Sequence, residues 1–262
     1  MIIKKSPAEI DKMAAAGEIL VRCMDLLAGK IRPGVTTGEL DAAAEKFIRS
    51  QGAVPAFKGY RGFPGSICAS PNDMVVHGIP GRFKLSRGDI LSVDIGVVKD
   101  GWVADAARTF PVGEVGAIAS QLLDVTEGAL FAAVDQCVVG NRLGDVSHAV
   151  QEYVESRGFS IVRSLVGHGI GREMHEEPQV PNYGPPGKGV ALTEGMVLAV
   201  EPMVNAGRHM VRMGDDGWAI YSQDGSLAAH FEFTIAVTAA GPRVLTPWHH
   251  PEAAASAPPA AA

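Results

Sequence analysis

The spacing of apolar residues predicts two helices near the start of the chain. The first follows Ser6-Pro7, a cap with proline at the first helical position. Small or apolar residues then recur at helical spacing, at Ile10, Met13, Gly17, Leu20, Met24 and Leu27. The second helix begins near Thr37 and stops at Gly52. In all, helices are predicted at residues 6–29, 37–50, 116–136 and 144–157.

Alternation of apolar and polar residues predicts a β-hairpin in the first half of the chain. Residues 90–98 and 102–110 flank an Asp100-Gly101 turn, a strong hairpin signal. A two-residue turn there places Asp94 opposite Ala107 and Asp105 opposite Gly96, so that both aspartates share one face of the hairpin. Further strands are predicted near residues 159–166, 196–206 and 230–238, with loop-rich stretches at residues 53–87 and 167–192.

The chain contains an internal repeat. Residues 38–52 align on 144–158 and residues 85–94 align on 192–201 with nearly the same offset, which places Glu201 at the position of Asp94. Chance similarity between amphipathic segments is the alternative. The repeat predicts two related halves about a pseudo-two-fold axis, at about residues 1–110 and 111–248 of one domain, followed by an Ala/Pro-rich disordered tail at residues 249–262.

Composition and charge limit the function classes. Hydrophobic residues make up 47% of the chain and charged residues 20%, as in globular proteins. A net charge of -6 argues against a dedicated nucleic-acid binder. We expect no membrane span and no secretory signal, hence a cytoplasmic protein. The widely spaced Cys23, Cys68 and Cys137 indicate free thiols.

Acidic residues interrupt apolar segments at four places: Asp94, Asp105, Glu201 and Glu232. A solvated hairpin surface is the alternative interpretation for the two aspartates. Charges within apolar strands need a partner or a metal ion, however, because unpaired charges are costly to bury. His168 lies between two glycines that permit a tight turn and leave the imidazole accessible; a buried structural histidine is the alternative. Together these groups suit Mn²⁺, Fe²⁺, Co²⁺ or Zn²⁺.

Motifs of several other reaction classes are absent from the sequence. Residues 167–172 lack the third glycine of a dinucleotide loop, and residues 175–178 lack the second histidine of H-E-x-x-H. There is no phosphate-binding Walker A loop and no G-x-S-x-G nucleophile elbow.

Five motifs in order carry a family resemblance: VVHGIP (75–80), SVDIGVVKDGWVADAARTF (92–110), GHGIGREMHEEPQVPNYG (167–184), EGMVLAVEPM (194–203) and FEFTI (231–235). The set resembles the type I methionine aminopeptidases of bacteria over about residues 5–247. The resemblance implies the α/β (α+β) pita-bread fold, a pseudo-two-fold pair of helix-plus-antiparallel-strand halves around a curved central sheet. Type II relatives insert a helical segment between the counterparts of His168 and Glu201, for which this chain has no room.

The resemblance also implies a centre of two divalent ions (Co, Mn, Fe, Zn or Ni). Its ligands match Asp94, Asp105, His168, Glu201 and Glu232. Asp105 and Glu232 would bridge the ions, Asp94 would complete one, and His168 and Glu201 the other. A metal-activated water or hydroxide would attack the first peptide bond, with Glu201 as general base. His77 would lie near the scissile nitrogen and His175 near the developing oxyanion.

A substrate pocket follows from the same resemblance, at Phe57, Tyr60, Phe63, Cys68, His77, Met174, His175 and Trp218. An apolar pocket suits a thioether side chain. The chain departs from the commonest pattern at Phe57, Phe63 and Met174, where cysteine, tyrosine and phenylalanine are frequent. All three exchanges are apolar, so methionine selectivity should persist.

The implied activity is removal of the initiator methionine from nascent proteins and peptides when the second residue is small. A proline-specific peptidase of the same fold is one alternative, and a non-catalytic peptide- or ribosome-binding relative is another. The expected partners are nascent N-termini and, transiently, the ribosome. A monomer without a nucleic-acid-binding motif is expected.

Overall fold

A computed structural model describes residues 1–248 as a mixed α/β fold. The helices are α1 (Pro7–Ala28), α2 (Thr37–Ser50), α3 (Ala117–Gln136) and α4 (Leu143–Glu155), with a 3-10 turn at Tyr60–Gly62. The strands are β1 (Val54–Pro55), β2 (Cys68–Pro71), β3 (Met74–Val76), β4 (Ile90–Lys99), β5 (Trp102–Pro111), β6 (Ser160–Ile161), β7 (Gly167–Gly169), β8 (Glu176–Val180), β9 (Val197–Val200), β10 (Met203–Asn205), β11 (Val211–Met213), β12 (Ile220–Ser222), β13 (Ala228–His230), β14 (Phe233–Thr238) and β15 (Gly241–Val244). The tail predicted at 249–262 lies outside the described residues.

The four predicted helices are confirmed, and local capping explains where they begin. The backbone N–H of Thr36 donates to the Glu39 carboxylate (2.8 Å), and the Glu39 N–H donates back to the Thr36 hydroxyl (3.2 Å). This reciprocal capping box satisfies free donors at the start of α2. Ser6 and Glu9 form the corresponding box at α1.

The hairpin has the predicted register. Asp94 pairs with Ala107 and Gly96 pairs with Asp105. The turn residues Asp100 and Gly101 have φ values of 50° and 77°, as a two-residue hairpin turn with the twist of the strands requires. On β4 the face opposite Asp94 is apolar and buried at Leu91, Val93, Ile95 and Val97, so a slip of one residue would expose it.

Two antiparallel sheets meet at the centre of the molecule. In one, β4 lies between β1 and β2 and also pairs with β5; the other has the order β15-β14-β9-β7-β8. Side-chain hydroxyls join them. The Thr234 hydroxyl donates to the Asp105 carbonyl (2.7 Å) and accepts from its N–H (3.0 Å). Thr109 makes the same pair of contacts with the backbone of His230, which ends β13 in a three-stranded sheet of order β13-β10-β6. These seam contacts fix the position of the hairpin relative to both of the other sheets.

Backbone hydrogen bonds recur with the offset of the sequence repeat. Ahead of α2, the Gly34 N–H donates to the Leu85 carbonyl (2.7 Å). Ahead of α4, the Gly140 N–H donates to the Leu192 carbonyl (3.2 Å), 106 residues after the first donor and 107 after the first acceptor. Each half thus ties the start of a helix to the segment that leads into a central strand.

The predicted strand borders are wrong in the second half. Only Ser160–Ile161 of the segment 159–166 is a strand, and the stretch predicted as loop-rich holds both β7 and β8. Glu201 and Glu232 do not lie within strands: each occupies the break between one strand and the next, β9 to β10 and β13 to β14. At these breaks the chain passes between the sheet that contains β9 and β14 and the sheet that contains β10 and β13. A run of apolar residues in the sequence does not reveal such a break.

Helix α3 is long and apolar enough to cross a membrane by length and composition alone. No membrane span was expected from the sequence, and this helix was not considered as a candidate. Leu122, Ala129, Leu130 and Ala133 on one face are buried in the main core, and α4 packs alongside. This packing is that of a core helix in a globular fold.

Candidate metal centre

The five predicted ligand residues come together around one cavity of about 170 Å³. Asp94, Asp105, His168, Glu201 and Glu232 all line it. The first two come from the hairpin, and the other three from the second sheet and its breaks. The sequence repeat predicted that both halves would contribute, and both do.

The seam between the sheets places the two central carboxylates. The Glu232 N–H donates to the Ala107 carbonyl (2.9 Å), so the β13–β14 break lies directly against β5. Asp105 is held from the same side by Thr234. The backbone geometry of both acids is therefore independent of any ion.

His168 is not in a turn, contrary to the sequence prediction, but in the short strand β7, with only 8% of its surface exposed. Its flanking glycines allow close backbone approach: a Cβ at Gly167 would lie 2.3 Å from the Ala199 carbonyl oxygen, and one at Gly169 would lie 2.2 Å from that of Glu177. The Nδ1–H of His168 donates to the Gly169 carbonyl (2.9 Å). With the ring proton on Nδ1, the electron pair of Nε2 is free and faces the cavity.

The distances within the cluster are those of groups that surround a common centre. His168 Nε2 lies 3.9 Å from Asp105 Oδ2 and 3.7 Å from Glu201 Oε1. Donor atoms of Asp105, His168 and Glu232 all lie within 4.8 Å of one another. Buried oxygens of Asp94, Asp105 and Glu232 have no hydrogen-bond partner among residues 1–248.

Burial raises the pKa of all four carboxyls, and repulsion from neighbouring acids adds to the rise at Asp94, Asp105 and Glu232. Burial, with the neighbouring Glu201, raises the pKa of Asp105 to about 8, and burial raises that of Glu201 to about 7. Burial and nearby acids also hold the pKa values of Asp94 and Glu232 well above the usual range. Such a cluster is unfavourable as four anions and becomes favourable with cations among them.

The donor set fits divalent metal ions. Orphaned carboxylate oxygens and one imidazole nitrogen with its electron pair aimed inward form a hard set with one borderline ligand. The described cysteines are buried, and only Cys68 lines the cavity, so a thiolate-dominated site is not formed.

Two other predicted histidines line the same cavity. His175 lies beside His168 with ring centroids 4.3 Å apart, and its Nδ1 is 2.9 Å from the Tyr60 hydroxyl. His77 has φ of 60°, a strained backbone conformation for a histidine. Desolvation, with neighbouring histidines, lowers the pKa of each to about 4, so both rings are neutral at pH 7.

An apolar pocket adjoins the ligand cluster. Its walls include Phe57, Tyr60, Phe63, Cys68 and Trp218, with Phe63 and Trp218 edge to face at 5.1 Å. Met174 packs behind this wall: a Cβ on Gly96 would lie 2.8 Å from its methyl group. All eight predicted pocket residues thus lie in one region, seven on the cavity wall and Met174 behind it.

Three features near the cavity were missed by sequence reasoning. Arg61 lines the mouth. His230 is buried beside Glu201, 3.4 Å from its Oε2. Lys5 forms a buried ion pair with Glu176. A histidine two residues before Glu232 was a visible signal for His230, whereas no sequence pattern links residues 5 and 176.

The Lys5–Glu176 pair holds the turn that carries His175. Lys5 Nζ lies 2.6 Å from Glu176 Oε2, and the two side chains are 2% and 6% exposed. The other oxygen of Glu176 accepts the backbone N–H of Arg172 (2.9 Å). The N-terminal segment therefore braces the β7–β8 turn.

Replacing Lys5 by methionine is expected to lower the free energy of unfolding by about 3–5 kcal/mol, because Glu176 becomes an unpaired buried charge. Urea unfolding measures this. The exposed pair Arg87–Glu114 supplies the control, since Arg87→Met should cost under about 1 kcal/mol. Equal losses in the two variants would contradict a bracing role for Lys5. Adding Glu176→Met to Lys5→Met should recover part of the loss.

Comparisons with known proteins agree with this geometry. The model of metallopeptidase family M24 matches residues 11–239. A methionine aminopeptidase of Clostridium acetobutylicum is 52% identical over 247 residues, covering 94% of this chain and 99% of the relative. The crystal structure of methionine aminopeptidase from Rickettsia prowazekii superposes with a TM-score of 0.93 at 41% identity, covering 94% and 100% of the two chains. The prolidase from Pyrococcus horikoshii has a TM-score of 0.78 at 23% identity, a likeness of fold in which 65% of that chain is covered.

Proposed function

The chain belongs to metallopeptidase family M24, and from this membership we propose that it removes the initiator methionine from nascent proteins and peptides when the second residue is small. One observation carries the proposal: a cluster of candidate metal ligands and an apolar pocket line the same cavity. An aminopeptidase needs this combination, because one part cleaves the bond and the other selects the residue before it.

The proposed cofactor is a pair of divalent ions. Asp105 and Glu232, whose carboxylate oxygens lie within 4.8 Å of each other, would be shared between them. Asp94 would complete one ion, and His168 with Glu201 the other, in keeping with the distances from His168. When bound, such ions lower the pKa of water and polarise the scissile carbonyl.

The side chains around the cluster supply proton transfer and orientation. Glu201 has one oxygen on the His168 side and a raised pKa, which suits a general base that takes a proton and passes it to the leaving amine. His77 and His175, both neutral, would act as hydrogen-bonding groups at the scissile nitrogen and at the developing oxyanion. The Tyr60 hydroxyl orients His175.

The methionine side chain would occupy the apolar pocket. Phe63 and Trp218 form two of its walls in an edge-to-face pair, and Met174 supports the pocket from behind Gly96. Aromatic and thioether groups suit the polarisable sulfur of the substrate. The exchanges at Phe57, Phe63 and Met174 leave these surfaces apolar.

The proline-specific alternative is not favoured. Relatives named methionine aminopeptidase align end to end with this chain at about half identity, whereas the prolidase likeness is one of fold. We further propose that residues 1–248 form one catalytic domain of two related halves. The enzyme is proposed to work as a monomer in the cytoplasm, at N-termini that emerge from the ribosome.

Peptide cleavage tests the proposal. With Co²⁺ or Mn²⁺ added, the protein should release methionine from Met-Ala-Ser and Met-Gly-Ser at least about 10²-fold faster, in kcat/KM, than from Met-Lys-Ser, because a bulky second residue displaces the scissile bond. An Ala-Pro-Ser peptide serves as the control for proline specificity. Preference for the proline peptide would favour the alternative enzyme, and no cleavage with any divalent ion would contradict both.

A further inference from the structure

His230 stands out among the buried polar groups that the mechanism above does not use. It ends β13 with 2% of its surface exposed, and its Nε2 lies 3.4 Å from Glu201 Oε2. Neither ring nitrogen has a hydrogen-bond partner within residues 1–248. A buried imidazole without partners costs free energy, so an apolar residue would pack here at lower cost.

Glu201 therefore lies between two imidazoles. His168 Nε2 is 3.7 Å from Oε1, and His230 Nε2 is 3.4 Å from Oε2. The ring on the first side has its electron pair facing the ligand cluster. The ring on the second side lies next to the other carboxylate oxygen, Oε2.

The backbone of His230 is fixed on both sides. Thr109 accepts its N–H and donates to its carbonyl, each at 2.9 Å, and Met203 is its partner in the adjacent strand β10. Glu201 lies two residues before that partner. The register thus places His230 beside Glu201 irrespective of any direct contact between the side chains.

From this geometry we propose that His230 is a positioning residue for Glu201: its Nε2–H donates to Oε2 and holds Oε1 toward His168 and the metal. The inference rests on the proposed metal-dependent function. A small rotation of either side chain converts the 3.4 Å approach into a hydrogen bond of ordinary length. Partners of this kind orient ligating carboxylates, and losing one costs about 10–100-fold in metal affinity.

Two substitutions separate hydrogen bonding from packing. His230→Met fills the space without a donor, whereas His230→Gln keeps an N–H that can reach the same oxygen. Because neither ring nitrogen has a hydrogen-bond partner within residues 1–248, the metal-free His230→Met protein should be at least as stable as the parent in thermal unfolding. His148→Met is the matched control, since His148 lies 3.7 Å from Glu152 in an exposed pair on α4.

Isothermal titration of the metal-free proteins with Mn²⁺, and absorption spectra with Co²⁺, supply the readout. His230→Met should bind Mn²⁺ about 10–100-fold more weakly than the parent and alter the Co²⁺ spectrum. His230→Gln should recover most of the affinity, and His148→Met should match the parent.

Parental affinity in His230→Met would overturn the inference. Equal weakening in the methionine and glutamine variants would also overturn it, because a donated hydrogen bond would then not be the cause. A parent protein that binds no metal would instead contradict the proposed function itself. The titration therefore separates the two failures.

Discussion

Replacing Asp105 by alanine is expected to abolish peptide hydrolysis, lowering kcat/KM by at least about 10³-fold, or about 4 kcal/mol. Asp105 is central to the cluster: its oxygens lie near His168 and Asp94, and one of them is buried without a hydrogen-bond partner within residues 1–248. In the proposed centre Asp105 is shared by two ions, so removing its carboxylate would weaken the binding of both. Peptide release with excess Co²⁺ or Mn²⁺ measures the effect.

The matched control is Asp124→Ala, which removes an exposed carboxylate from α3 and should leave kcat/KM unchanged. Asp105→Asn adds a second test, because the amide keeps the volume and loses the anion. Metal content measured after gel filtration should fall in both Asp105 variants. Near-parental turnover by Asp105→Ala would refute the assignment of Asp105 as a ligand shared by two ions.

The metal-free protein is expected to lose stability as pH rises from 6.5 to 8. The folded-state pKa values of Asp105 and Glu201 are about 8 and about 7, against ordinary values of 3.8 and 4.5. In this window the folded chain still holds protons that the unfolded chain has released, so stability falls with pH. At about 1.4 kcal/mol per pH unit for each fully titrating group, these two carboxyls together contribute a loss of about 2 kcal/mol.

Three buried histidines oppose the effect of the carboxyls, so the fall in stability is best measured between pH 6.5 and 8. His77, His175 and His230 have pKa values lowered to about 4 from 6.5, so their contribution runs the other way, with stability rising between pH 4 and 6.5. At pH 6.5 half of the unfolded-state imidazoles are still protonated, so the three histidines together still add about 1 kcal/mol above that pH and offset about half of the carboxyl loss. Thermal unfolding in a chelator should show Tm falling by about 2–4 °C between pH 6.5 and 8.

Saturating Mn²⁺ should remove most of this slope, since bound cations favour the ionised carboxylates. Asp105→Asn should be more stable than the parent at pH 8 without metal, because it removes one ionisable buried acid. A chelated protein whose Tm stays level across the window would contradict the repulsion assigned to the cluster. The parent with Mn²⁺ is the reference for each comparison.

Sequence reasoning was most successful where local chemistry decides the structure. The Asp100-Gly101 turn fixed the hairpin register, and the alternation of apolar residues fixed which face is buried. The facing of Asp94 and Asp105 followed from these two facts alone. Helix α2 was likewise set by its own cap and by the glycine after its end.

Other parts depend on contacts between distant segments. The glycines around His168 suggested a turn, but they allow the carbonyls of Ala199 and Glu177 to approach β7. Glu201 and Glu232 were placed inside strands because the flanking residues are apolar, although the breaks there reflect the passage between sheets. His230 is notable only because it lies beside Glu201, and Lys5 only because it pairs with Glu176. No local sequence pattern predicts either contact.

The seam between the two sheets bears on how the enzyme is made. Asp94 and Asp105 are synthesised well before Glu232 and before Thr234, whose hydroxyl donates to the Asp105 carbonyl. Trp248 then closes over the Glu232 carbonyl with a hydrogen bond of 3.2 Å. A growing copy therefore cannot bring the five proposed ligands together until the segment that carries Glu232 and Thr234 has been synthesised, so a shorter nascent chain lacks the assembled site.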